Sequence, residues 1–284
     1  MKGVQRGYTI LEVLIFIAVS ALIFVFAMIA ISGRQEQVQF TQGVREFEAK
    51  VQDILNDITT GYYAANPTIR CEIVAGNASL DFSLTNNEDL GTNNNCIYIG
   101  KVIQVLPDGA DADKRMFIYN LVGKRYADTE NSLIADTITE VSPKLVSSSA
   151  PGSNDSSEEY FTRYGLKITK LIELPTASPA PEFGAFSIIS NFAGGGSGVT
   201  TSQSQSVRVG TIKGTSVGDT ESELKTVVDQ FNNTSSVNTG FFNEGSDGVV
   251  ICLQDATSSV KKASITISSS GTRLQIDDYV AECD

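Results

Sequence analysis

The 284-residue chain carries 21 Lys+Arg against 33 Asp+Glu, a formal charge of −12, and 41% of its residues are apolar. At about 150 residues per domain the length allows roughly two units, and the apolar share is enough to build a core, which excludes wholesale disorder. Histidine is absent; this removes Ser-His-Asp and Cys-His catalysis, His-ligated metals and a histidine pH switch, while the acidic balance works against nonspecific binding to phosphate backbones.

Met1-Lys2-Gly3-Val4-Gln5-Arg6-Gly7 reads as a short basic leader, and Tyr8-Thr9-Ile10-Leu11-Glu12 comes after it. From Val13 to Gly33 run 21 residues without a charge. As a helix at ~1.5 Å per residue they extend ~31 Å, which matches the ~30 Å hydrocarbon core of a bilayer. Lys2 and Arg6 flank this run on its N-terminal side, so the positive-inside tendency leaves the leader in the cytoplasm and sends the rest outward. Arg34 on the far side weakens that asymmetry without reversing it. The expectation is a single-pass cell-membrane protein with its N-terminus inside.

A secretory signal peptide has an apolar region of roughly 7–15 residues before a small-residue cleavage site. Ala30-Ile31-Ser32 could pass for such a site, but the run is too long and Glu12 intrudes at its start. A plain single-pass anchor explains the length and gives Glu12 no task, although a carboxylate drawn to the centre of a span costs ~2.5–3.5 kcal/mol. The segment Gly7-Tyr8-Thr9-Ile10-Leu11-Glu12-Val13 resembles the processing motif of type IV prepilins and pseudopilins. In that family the leader ends in Gly, the mature chain starts with an aromatic residue, usually Phe, and its fifth residue is Glu. Gly7, Tyr8 and Glu12 take those places. The resemblance implies cleavage between Gly7 and Tyr8 and N-methylation of Tyr8 by a prepilin peptidase. It also implies that Glu12 faces the Tyr8 amine of a neighbouring subunit during assembly. A buried ammonium and a buried carboxylate each cost several kcal/mol alone, and pairing recovers much of that while setting register. The chain departs from the pattern in carrying Tyr at position 8, and its apolar run lacks the Pro that interrupts the helix in many major pilins; Ser32-Gly33 is the weak point instead.

From Arg34 to Thr60 the sequence predicts a continued amphipathic helix. Val44, Phe47, Val51, Ile54, Leu55 and Ile58 recur at three- and four-residue steps, with Gly43 a local weak point and Gly61 and Pro67 beyond its end. The stripe is expected to pack on the chain's own head, over 61–284. That head reads as mainly β, with strands at Cys71–Ala75, Cys96–Val105, Met116–Val122, Leu166–Ile172, Phe186–Ile189, Ser206–Ile212, Gly248–Leu253, Ala263–Ile267 and Thr272–Ile276. Ser268-Ser269-Ser270-Gly271 reads as the turn of the last hairpin. Thr220-Glu221-Ser222-Glu223 is a capping box opening a helix with Leu224, Val227, Val228 and Phe231 on one face. Stretches 147–159, 175–181 and 193–206, rich in Ser, Gly and Pro, read as linkers, and they leave open two lobes or one sheet with long insertions. The predicted fold class is α+β: a long N-terminal helix, half spanning and half amphipathic, on a mainly antiparallel head. The resemblance makes it pilin-like, with a leader over 1–7, a span and filament-core helix over 8–33 and a helical spine over 34–60.

Cys71, Cys96, Cys252 and Cys283 all lie beyond the span, in an oxidising compartment, and four cysteines allow three pairings. Proximity in sequence favours Cys71–Cys96 and Cys252–Cys283, and many pilins carry a disulfide near the C-terminus. A four-thiolate zinc site is the rival, opposed by the lack of any closely spaced cysteine pair. The chain contains no P-loop, no Rossmann fingerprint and no nucleophile elbow. Gly194-Gly195-Gly196-Ser197-Gly198 reads as a loop, and Asp108–Asp113 as an acidic turn rather than a calcium loop, since it lacks the EF-hand spacing and terminal Glu. Asp277-Asp278 reads as solvated surface. Lys261-Lys262 with Arg273 is a possible basic patch, with strand-edge protection the plainer reading. No catalytic constellation, metal site or cofactor is expected. The expected role is a minor pilin or pseudopilin in an extracellular or periplasmic filament. Its partners would be a prepilin peptidase, other pilin subunits, assembly platform proteins and, before assembly, membrane lipid. The alternatives are a filament-tip adhesin or DNA-binding module touching DNA or a host surface, and a plain anchored protein.

Overall fold

A single helix, α1, runs from Ile10 to Thr60. In this computed structural model structure is described for residues 9–60, 70–74, 77–81, 96–127, 133–135, 138–146, 157–174, 182–190, 207–230, 247–277 and 283. The side chains at 29–34, 70–74, 77–81, 96, 139, 230 and 277 lie outside that description. The chain divides into two compact units, Met1–Gln42 and Gly43–Asp284.

In the second unit the helix buries the stripe that its sequence prescribes: Val44, Phe47, Val51, Ile54, Leu55 and Ile58 are all removed from solvent. Gly43, a weak point in the sequence, is wholly helical. A Cβ there would stand 3.0 Å from the Arg163 carbonyl oxygen, so the missing side chain admits a neighbouring turn. The head is α+β, with every strand pair antiparallel. In chain order its strands are β1 (Arg70–Val74), β2 (Asn77–Asp81), β3 (Cys96–Val105), β4 (Arg115–Lys124), β5 (Lys144–Val146), β6 (Ser157–Phe161), β7 (Leu166–Leu174), β8 (Ala185–Ser190), β9 (Val207–Thr211), β10 (Gly248–Asp255), β11 (Lys262–Ser268) and β12 (Gly271–Asp277). The further helices are α2 (Ile138–Val141) and α3 (Glu221–Gln230). β1 and β2 form a hairpin; β12-β11-β10-β7 form a four-stranded sheet; β5-β4-β3-β8-β9 form the larger sheet, with β6 also on β4. The two short strands share one edge of β4: β5 pairs with Asn120–Val122 and β6 with Arg115–Tyr119.

Strand alternation gives the larger sheet two apolar faces. One faces α1: Asp57 of the helix accepts from Lys101 Nζ of β3 at 2.6 Å, Lys50 pairs with Glu158 of β6, and the Phe47 ring meets Tyr160 edge-on at 5.9 Å between centroids. Burial pushes the Tyr160 phenol up to about 12, so it stays un-ionised beneath the helix. On the opposite face Ile99, Val102, Tyr119 and Leu121 pack with Val141 of α2 and Leu224 and Val228 of α3. The helix also reaches the four-stranded sheet, where Gln52 Nε2 donates to Thr272 Oγ1 at 3.2 Å.

α3 starts where its capping box predicts. Thr220 N donates to Glu223 Oε2 at 2.8 Å, and Glu223 N donates back to Thr220 Oγ1 at 3.3 Å. The backbone hydrogen bond from Thr220, then its hydroxyl, hold the Glu223 carboxyl below its ordinary range. Val227 is half-buried on the same face, and Phe231 lies outside the described residues. The last hairpin turns at Ser268–Gly271 as its sequence requires, with Ser268 in register with Gly271.

Three strands depart from the sequence-based expectation. β2 and β5 have no counterpart in it, and β6 occupies the end of the stretch read as a linker over 147–159. Among the described residues β6 pairs only with β4, and it leaves Glu158 and Glu159 exposed, so it lacks the apolar alternation of an interior strand. Residues 147–156, 175–181 and 193–206 of the proposed linkers lie outside the described residues.

Candidate functional site

The helical part of the first unit begins with a cap. Glu12 N donates to the Thr9 hydroxyl at 3.3 Å and to the Thr9 carbonyl at 3.0 Å, and Val13 N donates to that carbonyl at 3.2 Å. Thr9 is therefore the N-cap and Glu12 the third helical residue, the spacing of a capping box. An acid in the first turn of a helix is favoured by the aligned peptide dipoles. This capping role is absent from the sequence-based expectation, although Thr9-Ile10-Leu11-Glu12 spells it. Gly7 and Tyr8 lie outside the described residues.

Beyond the cap, Ile10–Met28 is long and apolar enough to cross a membrane, and none of it is buried in the chain. Its large apolar side chains are 46–82% exposed and point in every direction around the axis. A soluble helix shows one apolar stripe; a helix apolar all round needs lipid or other apolar segments for cover.

At the other end of the chain, Cys252 of β10 is bonded to Cys283, with Cα atoms 5.7 Å apart. Cys283 packs with Ile172, Val250 and Leu174, so the bridge both ties down the C-terminus and covers an apolar patch of the four-stranded sheet. The Cys71 and Cys96 side chains, and with them the other expected disulfide, lie outside the described residues. Replacing both Cys252 and Cys283 by Ser frees a 31-residue loop and should lower stability by ~3–4 kcal/mol, read as a shifted denaturant midpoint. An unchanged midpoint would show that the bridge contributes nothing.

The acidic turn 108–113 does not converge on a cation. Asp111 pairs with Lys114 at 2.6 Å and Asp113 with Lys167 at 2.7 Å, and the Asp108 carbonyl accepts from the Arg115 guanidinium at 2.6 Å. The Lys114 hydrogen bond, then its charge, hold the Asp111 carboxyl below its usual value. Among the described residues no three His, Cys, Asp or Glu side chains cluster as metal ligands. The three basic residues of the last hairpin are not gathered either. Lys261 faces Asp255 at 3.7 Å, Lys262 is in register with Asp277, and Arg273 with Thr266 four pairs along the ladder. The Asp277 side chain, residue 278 and residues 194–198 lie outside the described residues.

Compared with family models, curated proteins and solved structures, the chain matches none.

Proposed function

We propose that the chain is a minor pilin or pseudopilin, a subunit of a type IV pilus or type II secretion-like filament. The observation that carries this reading is the placement of Glu12. It is the one acid at the mouth of a fully exposed apolar helix, five residues after a Gly that closes a basic leader. The packing of Gly43–Thr60 on antiparallel sheets, and a disulfide near the C-terminus, support a pilin-like head. In this reading the leader stays in the cytoplasm, a prepilin peptidase cuts between Gly7 and Tyr8 and methylates Tyr8, and lipid covers the helix until other pilin subunits replace it at the assembly platform. The chain works by packing and recognition, without cofactor or metal.

Mass spectrometry of the chain from its native host tests this. A mature form starting at N-methylated Tyr8 is expected. A chain retaining Met1–Gly7 beside correctly trimmed siblings would overturn processing, and with it the filament role.

The runner-up is a plain single-pass anchor, in which Glu12 serves only as an acid in the first turn of its own helix, where the aligned peptide dipoles favour one. A DNA-binding tip module has no comparable support, since Lys261 is already engaged by Asp255.

A further inference from the structure

β10 is an interior strand of the four-stranded sheet, paired with β7 on one side and β11 on the other. Cys252 sits in its middle and is completely buried, while Cys283, near the chain's end, is half-buried. Two ladders hold β10, so the bridge fastens the C-terminal return to a strand already in place.

The β7 ladder is interrupted at this cysteine. Cys252 is in register with Lys170 and Leu253 with Ile168, which leaves Thr169 as an extra residue, and the Thr169 hydroxyl donates to the Cys252 carbonyl at 3.2 Å. Bulges of this kind re-aim side chains and gather beside working sites. Directly opposed residues of an antiparallel pair share a face, with Cβ atoms ~4.5–5.5 Å apart. Val250 with Ile172 and Cys252 with Lys170 are such pairs, and Val250, Ile172 and Cys252 pack with Cys283. Lys170 therefore leaves β7 on the face that carries the bridge.

Lys114, Lys144 and Lys167 are each engaged by a carboxylate, whereas among the described residues Lys170 has none. Ser264, the partner of Cys252 on β11, is uncharged. An ammonium opposite a sulfur gains nothing from the finished bridge, which carries no charge. Its effect falls on the open form, where a nearby cation favours the thiolate, the form of cysteine that reacts.

We infer that Lys170 is a positioning residue for closing the Cys252–Cys283 bridge by exchange with a disulfide donor. The Cys283 thiolate, the more exposed of the two, attacks one sulfur of the donor; a mixed disulfide forms and the donor's other sulfur leaves as a thiolate. The Cys252 thiolate, favoured by Lys170, then attacks Cys283 Sγ; the Sγ–Sγ bond forms and the donor's second sulfur leaves. The two cysteines give up two electrons and two protons, and the donor ends as two thiols. The inference holds for a filament subunit and for a plain anchor alike.

The test uses the full solubilised chain, reduced and freed of reductant, with glutathione disulfide as the donor. Acid quenching and peptide mapping by mass spectrometry score each cysteine separately. Glutathione should appear on Cys283 and disappear as the bridge closes. Lys170→Met should slow that closing step about threefold, because losing the cation cuts the thiolate fraction about tenfold while the remaining thiolate is about threefold more nucleophilic. Lys170→Arg keeps the cation and should close at the original rate. The melting temperature of the bridged Lys170→Met chain should hold. Equal closing rates in the original chain and Lys170→Met overturn the inference, whether or not the melting temperature falls. So does equal slowing in both variants, or glutathione accumulating on Cys252 instead of Cys283.

Discussion

If the chain is a filament subunit, as proposed, Glu12→Ala should leave it in the membrane and reduce its incorporation into filaments by about a hundredfold or more. The size comes from the two tasks that the carboxylate can have. If it pairs with the Tyr8 amine of a neighbour in an apolar core, deleting it strands a buried ammonium, a loss of ~3–5 kcal/mol at about 1.4 kcal/mol per tenfold. If it serves only the start of its own helix, the loss is ~0.3–1 kcal/mol, because Thr9 still caps Glu12's backbone amide. Membrane insertion separates neither case, since removing a charge from the edge of a span eases it. Filament fractions quantified beside a Thr9→Ala control decide between them. Thr9→Ala weakens the cap and leaves the charge, so it should cost incorporation far less. Equal and small losses for both variants would reduce Glu12 to a capping residue and favour the plain anchor.

Phe47→Ala should destabilise the head by ~3–5 kcal/mol, the range for truncating a fully buried aromatic. For a unit of this size that lowers the melting temperature by roughly 6–20 °C. Phe47 is completely buried and its ring meets Tyr160 of β6 edge-on, so the truncation opens a cavity between α1 and the larger sheet. Phe47→Leu keeps most of the volume and should lose less than about half as much. Calorimetry on the pair checks this, and a loss below ~1 kcal/mol for the alanine variant would mean that α1 is not part of the head's core. The surface pairs of the same helix, such as Glu46 with Arg163, contribute much less, because water screens exposed charges.

The features legible in the residue order are those that depend on near neighbours in the chain. The spacing of Val44, Phe47, Val51, Ile54, Leu55 and Ile58 prescribes the buried face of α1, and all six are buried. Thr220 and Glu223 prescribe the start of α3, and Ser268–Gly271 the last turn. Strands with apolar residues on both faces, such as β3 and β10, are visible as runs of Val, Ile and Leu. The capping geometry at Thr9 is equally legible, but the same residues also spell a processing motif, and one short stretch of sequence then supports two readings.

The elements that escape the sequence are those whose reason lies far away along the chain. β5 has three residues and β6 carries two exposed glutamates; each exists because β4 offers a hydrogen-bonding edge. Gly43 reads as a weakness in the helix, yet the Arg163–Leu166 turn needs its missing Cβ. Cys252 has three candidate partners by sequence; proximity favours Cys283, and the chain's return to β10 makes that pairing. Nothing in the order of residues indicates that Tyr164 is held in a left-handed turn.

The sequence by itself determined the uncharged helical run over Val13–Gly33, the amphipathic stripe that continues it, the β-rich character of the head and the lack of histidine chemistry, because composition and short periodicities act through adjacent residues. Only the tertiary structure decided how the twelve described strands divide among three sheets and which cations are already engaged by carboxylates. Those outcomes turn on pairings between segments tens of residues apart. Each depends on closing the chain around one core, and no local pattern encodes that choice.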